Sequence, residues 1–154
     1  MLESQYLILT KLTQMLIKKG KKAKAFKIIL VILKKLREKQ IKNFDAYLII
    51  NKAIKYLKPL VYVQKVRKGR KIFYLPKVIK IEKKINISLY WLLTSVKKRK
   101  ERKIQSRITK EFLDCFFNKG QSILKKRSLY RTLSSNRPFL YFLKKRRKRN
   151  KIKL

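Results

Sequence analysis

Electrostatic self-repulsion is the constraint that dominates this chain. Lys and Arg fill 46 of its 154 positions and Asp and Glu only seven, so in the absence of histidine the formal net charge is +39. Like charges at this density repel one another over distances comparable to a Debye length, ~8 Å at physiological salt. A polyanion is needed to neutralise them, and the free chain is expected to be poorly soluble or only partly folded. Nucleic acid is the commonest such partner, ahead of an anionic membrane surface or an acidic protein. If ten or so phosphates are neutralised, log K should fall by roughly 7 to 9 per decade of salt.

The chain is not merely a basic tail. Apolar residues make up 45% of it, enough for a core and consistent with one domain. The longest apolar run, residues 28–33, is far too short to span a membrane, so no membrane partner is expected. A single cysteine, Cys115, excludes an internal disulfide, and without histidine no metal site or other cofactor is expected. An enzyme is not expected either. The carboxylates are scattered, and Glu111 and Asp114, the two within one helical turn, sit beside Lys110 and read as surface ion pairs. Cys115 has no evident base, and there is no glycine-rich phosphate loop.

Apolar periodicity divides the chain into helical blocks. Ile8, Leu12, Met15 and Leu16 share one side of a first helix over residues 6–19, closed by Gly20. Ala25, Ile28, Ile29, Ile32, Leu33 and Leu36 form the stripe of a second. A third starts near the potential cap Asn43, turns Tyr47, Ile50, Ile54 and Leu57 inward, and stops at Pro59. The pattern then changes to β-branched and aromatic residues over 60–66 and 71–78, with Lys68, Gly69 and Arg70 between, as in a two-stranded ribbon around a glycine turn. Ile85, Leu89, Leu92, Leu93 and Val96 mark a fourth helix, running into Lys97, Lys98, Arg99 and Lys100. Ile104, Ile108, Phe112, Cys115 and Phe116 mark a fifth, ended by Gly120, and a sixth runs from about Ser122 to Asn136, before Pro138. Residues 144–154 carry eight basic side chains and read as a tail that stays disordered until it meets RNA. The expected fold is mainly α, a bundle of about six helices with a protruding two-stranded β-ribbon between the third and fourth. The expected division is a helical body over 1–143 and a basic tail over 144–154.

This order of elements resembles the bacterial and organellar small-subunit ribosomal protein seven family. Gly20-Lys21-Lys22 with Ile28-Ile29 six residues on looks like its N-terminal motif, and Leu57-Lys58-Pro59-Leu60-Val61-Tyr62-Val63 like its passage into the ribbon. Gly69, Leu75-Pro76, Trp91, Lys97-Lys98-Arg99, Arg107 with Glu111, and Asn118-Lys119-Gly120 fall on further family positions. Arg131, Asn136, Arg137 and Phe139 match its last helix, so the resemblance extends from about residue 7 to residue 142. Three departures stand out: a basic arm ahead of the first helix is missing, Tyr90 replaces an arginine, and Pro138 interrupts the last helix.

The resemblance implies a structural protein that binds the 3′ major domain of small-subunit rRNA, supports assembly of the subunit head and reaches its ribbon toward the tRNA exit site. Its implied partners are that rRNA, neighbouring small-subunit proteins, and exit-site tRNA and mRNA; no homo-oligomer is expected. The expected RNA-binding residues are Lys18, Lys19, Lys21, Lys22, Lys65, Arg67, Lys68, Arg70, Lys71, Lys97, Lys98, Arg99, Arg131 and Arg137. Against each stands the plainer reading of a solvated cation, outweighed by the global charge. Tyr62, Phe73 and Tyr74 are read as ribbon packing ahead of base stacking, and Trp91 and Cys115 as core. The N-terminus, Met1-Leu2-Glu3-Ser4-Gln5, has neither a secretory nor a transit-peptide layout, and Lys, Ile, Asn and Tyr are abundant. A protein made inside a mitochondrion is therefore expected, with a plastid as the alternative. The competing functional readings are a nonspecific organellar nucleoid protein that binds DNA and a basic amphipathic protein on anionic membranes.

Overall fold

The computed structural model describes residues 2–39 and 45–137. Among them lie six helices and two strands: α1 (Leu2–Leu16), α2 (Lys22–Glu38), α3 (Ala46–Leu57), β1 (Val61–Lys68), β2 (Lys71–Val78), α4 (Ile81–Lys97), α5 (Ile104–Phe116) and α6 (Gln121–Ser135). The ribbon sits between α3 and α4, as expected. The basic tail, Pro138, Phe139 and the potential cap Asn43 lie outside the described residues.

The stripes become one core because α5 is central, packing against α2, α3, α4 and α6. Leu36, Ile49, Ile54, Leu57, Leu89, Leu92, Ile108 and Phe112 are fully buried there. Each such side chain contributes about 1.5–3 kcal/mol by leaving water, the favourable term set against the charge. Three hydroxyls inside the helices are satisfied locally: Thr13, Ser88 and Thr109 donate to the carbonyls of Leu9, Lys84 and Gln105, one turn back. No helix among the described residues is long and apolar enough to cross a membrane.

Several boundaries differ from the sequence reading. The first helix ends at Leu16 rather than near Lys19, because the chain reverses through two successive left-handed residues, Lys19 at φ 50° and Gly20 at φ 72°. Met15, read as part of the inward side, is exposed, while Ile8 and Leu12 hold the buried stripe. In α3 the inward face is Ala46, Ile49, Ile50, Ala53, Ile54 and Leu57, and Tyr47 is only half-buried, because small residues let α3 approach its neighbours closely. Gly120 does not end α5. That helix stops at Phe116 in a Schellman turn, with Asn118 at φ 56° and bonds from Asn118 N–H to the Cys115 carbonyl and Lys119 N–H to the Asp114 carbonyl. Gly120, at φ 93°, is instead the N-cap position of α6.

Candidate nucleic-acid interface

The ribbon is an antiparallel pair whose register runs from Val61 opposite Val78 to Lys68 opposite Lys71, leaving Gly69 and Arg70 as a two-residue turn. Gly69 has φ 60° and Arg70 does not have positive φ, which matches a type II′ turn with glycine first. Lys68 thus ends β1 rather than belonging to the turn. The base of the ribbon is fixed to the helices: Leu75 and Ile79 are buried, and Leu60 N–H donates to the Tyr130 hydroxyl of α6 at 3.1 Å; Lys126 Nζ, also on α6, donates to the Tyr56 carbonyl of α3. Both ribbon strands pack on α6.

Toward the tip, Lys65, Arg67, Arg70 and Lys71 are exposed. The register sets Lys65 and Arg67 on one face, opposite Tyr74 and Ile72, and Lys71 on the other. Lys65 Nζ stands 5.9 Å from the centre of the Tyr74 ring, and Arg67 Nε donates to the Gly69 carbonyl at 3.3 Å. These contacts hold the cations near the strand surface while leaving them open to solvent. The expectation that all three ribbon aromatics pack inward needs correction. Phe73 and Tyr74 are half-buried, but Tyr62 is 44% exposed, although it shares a face of the ribbon with the buried Leu75.

A second cationic surface belongs to α6. Arg127 and Arg131, one turn apart, are exposed, and with Tyr56, Lys126, Tyr130 and Asn118 they line a shallow hollow between α6 and the end of α3. Arg137, just past the helix, is exposed as well. At the end of α4, Lys97 and Lys98 are exposed, and at the start of α6 Lys125 Nζ donates to the Trp91 carbonyl at 3.3 Å. Burial lowers the pKa of Lys125, and the charge of Lys98 lowers it further. Burial likewise lowers that of Lys58, assisted by the nearby charge of Lys84. Such crowded cations cost free energy that an arriving phosphate would recover. Lys58, Lys84, Lys125, Lys126 and Arg127 were missed by sequence reasoning. The run Lys125-Lys126-Arg127 was the available signal, hidden by the weak apolar pattern of α6.

Lys18, Lys19, Lys21 and Lys22 form an exposed group at the α1–α2 junction. Those helices pack with α3 and α5, whereas the ribbon packs on α6, so the junction and the ribbon are separate patches of the same body. Trp91 is half-buried against the core. Cys115 is fully buried, and burial together with the Glu111 charge pushes its thiol pKa up to about 12.

Arg99 departs most from expectation. Its side chain is only 18% exposed, and its guanidinium faces inward onto carboxylates: Nε bonds to Glu111 at 2.7 Å, one terminal nitrogen to Asp114, and the other lies 3.5 Å from Glu101. Burial disfavours its charge, but the bonds and charges of Glu111 and Asp114 outweigh that and raise its pKa. Glu111 is not a surface ion-pairing group, being buried with a side-chain exposure of 1%.

A family model described as Ribosomal protein S7p/S5e matches residues 2–137. The chain belongs to this family. It is similar to the small ribosomal subunit protein uS7m of Reclinomonas americana, 28% identical over 88% of this chain and 84% of that one. It resembles to the same degree the small ribosomal subunit protein uS7 of Acidithiobacillus ferrooxidans, 28% identical over 88% and 85% of the two chains. The uS7 of Oleidesulfovibrio alaskensis is 32% identical over 80% and 78%. As a member of the S7p/S5e family the chain is a structural component of the small ribosomal subunit, acting in translation and without enzymatic activity.

Proposed function

We propose that the chain binds the 3′ major domain of small-subunit rRNA, supports assembly of the subunit head and holds its basic ribbon near the tRNA exit site. The observation that carries this reading is a stiff ribbon with exposed cations on both faces, anchored to a helix that bears its own exposed arginines. Cations held on rigid elements can match the phosphate positions of one folded RNA, whereas a flexible basic chain cannot discriminate among polyanions. Arg67, Arg70, Arg131 and Arg137 supply planar donors for phosphate oxygens, and the lysines supply point charges. Tyr62, exposed near the ribbon base, offers a ring for an unpaired base.

Neighbouring small-subunit proteins, exit-site tRNA and mRNA complete the proposed partners. The proposed location is the mitochondrial ribosome, supported by the uS7m likeness and by the lysine excess. Sucrose-gradient sedimentation of organelle lysates at moderate salt tests the reading: the chain should comigrate with the small subunit of mitochondria. Recovery with DNA and none with the subunit would favour the nucleoid alternative, and comigration in plastid lysates alone would move the site of action.

A further inference from the structure

The cluster around Arg99 is the most organised polar group in the described structure, with Glu111 buried at its centre and Asp114 at its solvent edge. Three of the seven carboxylates in the chain, Glu101, Glu111 and Asp114, converge on one guanidinium although 45 other cations compete for them. Glu111 is the hinge of the arrangement. One of its oxygens accepts from Arg99, and the other accepts from both the backbone N–H, at 3.2 Å, and the hydroxyl of Ser122. Ser122 lies in the first turn of α6, whose N-cap residue Gly120 has no side chain to cap it. A carboxylate from α5 thus caps α6, where the helix dipole favours negative charge.

The rest of α6 is loosely held. Only Ser122 and Ile123 are buried along its 15 residues, so apolar packing does little to fix its direction. Its other polar anchors are Lys125 on the Trp91 carbonyl, through a long flexible side chain, and Lys126 on the Tyr56 carbonyl and Tyr130 under Leu60 N–H farther along the helix, so Glu111 is the one that grips the helix backbone at its first turn. The start of α6 is therefore aimed by Glu111, and Glu111 is held by Arg99.

We propose that Arg99 is a positioning residue for RNA binding: it contacts no phosphate, and through Glu111 and Ser122 it aims α6 so that Lys125, Arg127 and Arg131 engage the RNA together. This rests on the rRNA-binding reading above. The experiment is the salt dependence of binding to a 3′ major domain transcript, comparing the wild-type chain with the double variant Arg99→Gln, Glu111→Gln. That variant leaves net charge unchanged and keeps neutral hydrogen-bonding groups at both positions. Each phosphate contact contributes about 0.9 to the slope of log K against log salt, so one lost contact is distinguishable from several lost together. The expected result is a slope reduced by about 2 or more, with helix content retained by circular dichroism. A slope that is unchanged, or reduced by about 1 or less, overturns the proposal.

Should the double variant not fold, Ser122→Ala serves instead, since it removes the hydroxyl bond to Glu111 and weakens the link to α6, leaving the backbone N–H bond and the Arg99–Glu111 pair in place. It should weaken binding severalfold with helix content unchanged, and full wild-type affinity would overturn the proposal. If the wild-type chain itself does not prefer the transcript to duplex DNA, the rRNA reading fails, a result separable from either variant's behaviour.

Discussion

Arg99 Nε stands 2.7 Å from Glu111 Oε2, joining the segment after α4 to a carboxylate that also caps α6. In a chain so rich in surface cations, this pair lies inside the fold, and its geometry governs what removing either partner should do.

Replacing Glu111 by Ala leaves Arg99 partly buried with a lost main partner and α6 without its cap. Breaking a buried pair costs about 3–5 kcal/mol. Urea unfolding followed by fluorescence of the single tryptophan, Trp91, in sulfate buffer that screens the charge, should show a loss in that range. A loss below about 1 kcal/mol would mean that the pair is solvated and weak.

Glycine substitutions should separate by location. Gly120 has φ 93°, and an added Cβ would meet the Asp114 Cβ at 3.0 Å, so Gly120→Ala should cost about 2–3 kcal/mol. Gly69→Ala at the ribbon turn meets nothing within 4 Å and pays only for its φ of 60°, about 1 kcal/mol. The same unfolding assay compares them, and equal effects would contradict the assigned contact.

Proton linkage gives a further outcome. Lys58 has its folded pKa lowered, first by burial and then by Lys84. A depressed lysine penalises the free fold at pH below that pKa, and the penalty is relieved as pH rises through it toward the unfolded value of 10.5. Phosphate favours the protonated form, so affinity should start to fall below pH 10.5, with proton uptake on binding in that window. Lys58→Met should make the early part of the fall shallower, leaving the share carried by Lys125 and Lys126, whose pKa values burial also lowers. Identical pH profiles for the two proteins would show that Lys58 does not face the RNA.

Neutralising the ribbon tip, with Arg67, Lys68, Arg70 and Lys71 changed to Gln, should weaken exit-site contacts and leave incorporation into the subunit head largely intact. Quantitative sedimentation of the variant with small subunits, paired with chemical probing of the exit site, reads both effects. Loss of all incorporation would make the tip an assembly anchor instead.

Much of this architecture could be read from spacing alone. The stripes of α2, α4 and α5 are regular enough that Leu36, Leu89 and Phe112 are buried where periodicity places them, and Gly69 marks the ribbon turn. Family motifs then added identity to the bare pattern. What escaped the sequence depends on tertiary partners. Arg99 looks like one more member of the run from Lys97 to Lys100, and only the approach of Glu111 and Asp114 distinguishes it from its exposed neighbours. The run Lys125-Lys126-Arg127 marks a basic segment, but the contacts of Lys125 with α4 and Lys126 with α3 are tertiary and leave no local trace. The early end of α1 is set by the reversal that lays α2 back against it, a demand of packing and not of helix propensity.

The central claim is that the folded body fixes its cations in a pattern that matches one folded RNA. Competition binding at near-physiological salt, with a labelled 3′ major domain transcript displaced by unlabelled transcript, duplex DNA or heparin, tests it most directly. The transcript should compete at least about a hundredfold better than either other polyanion. Displacement by all three at similar concentrations would contradict it.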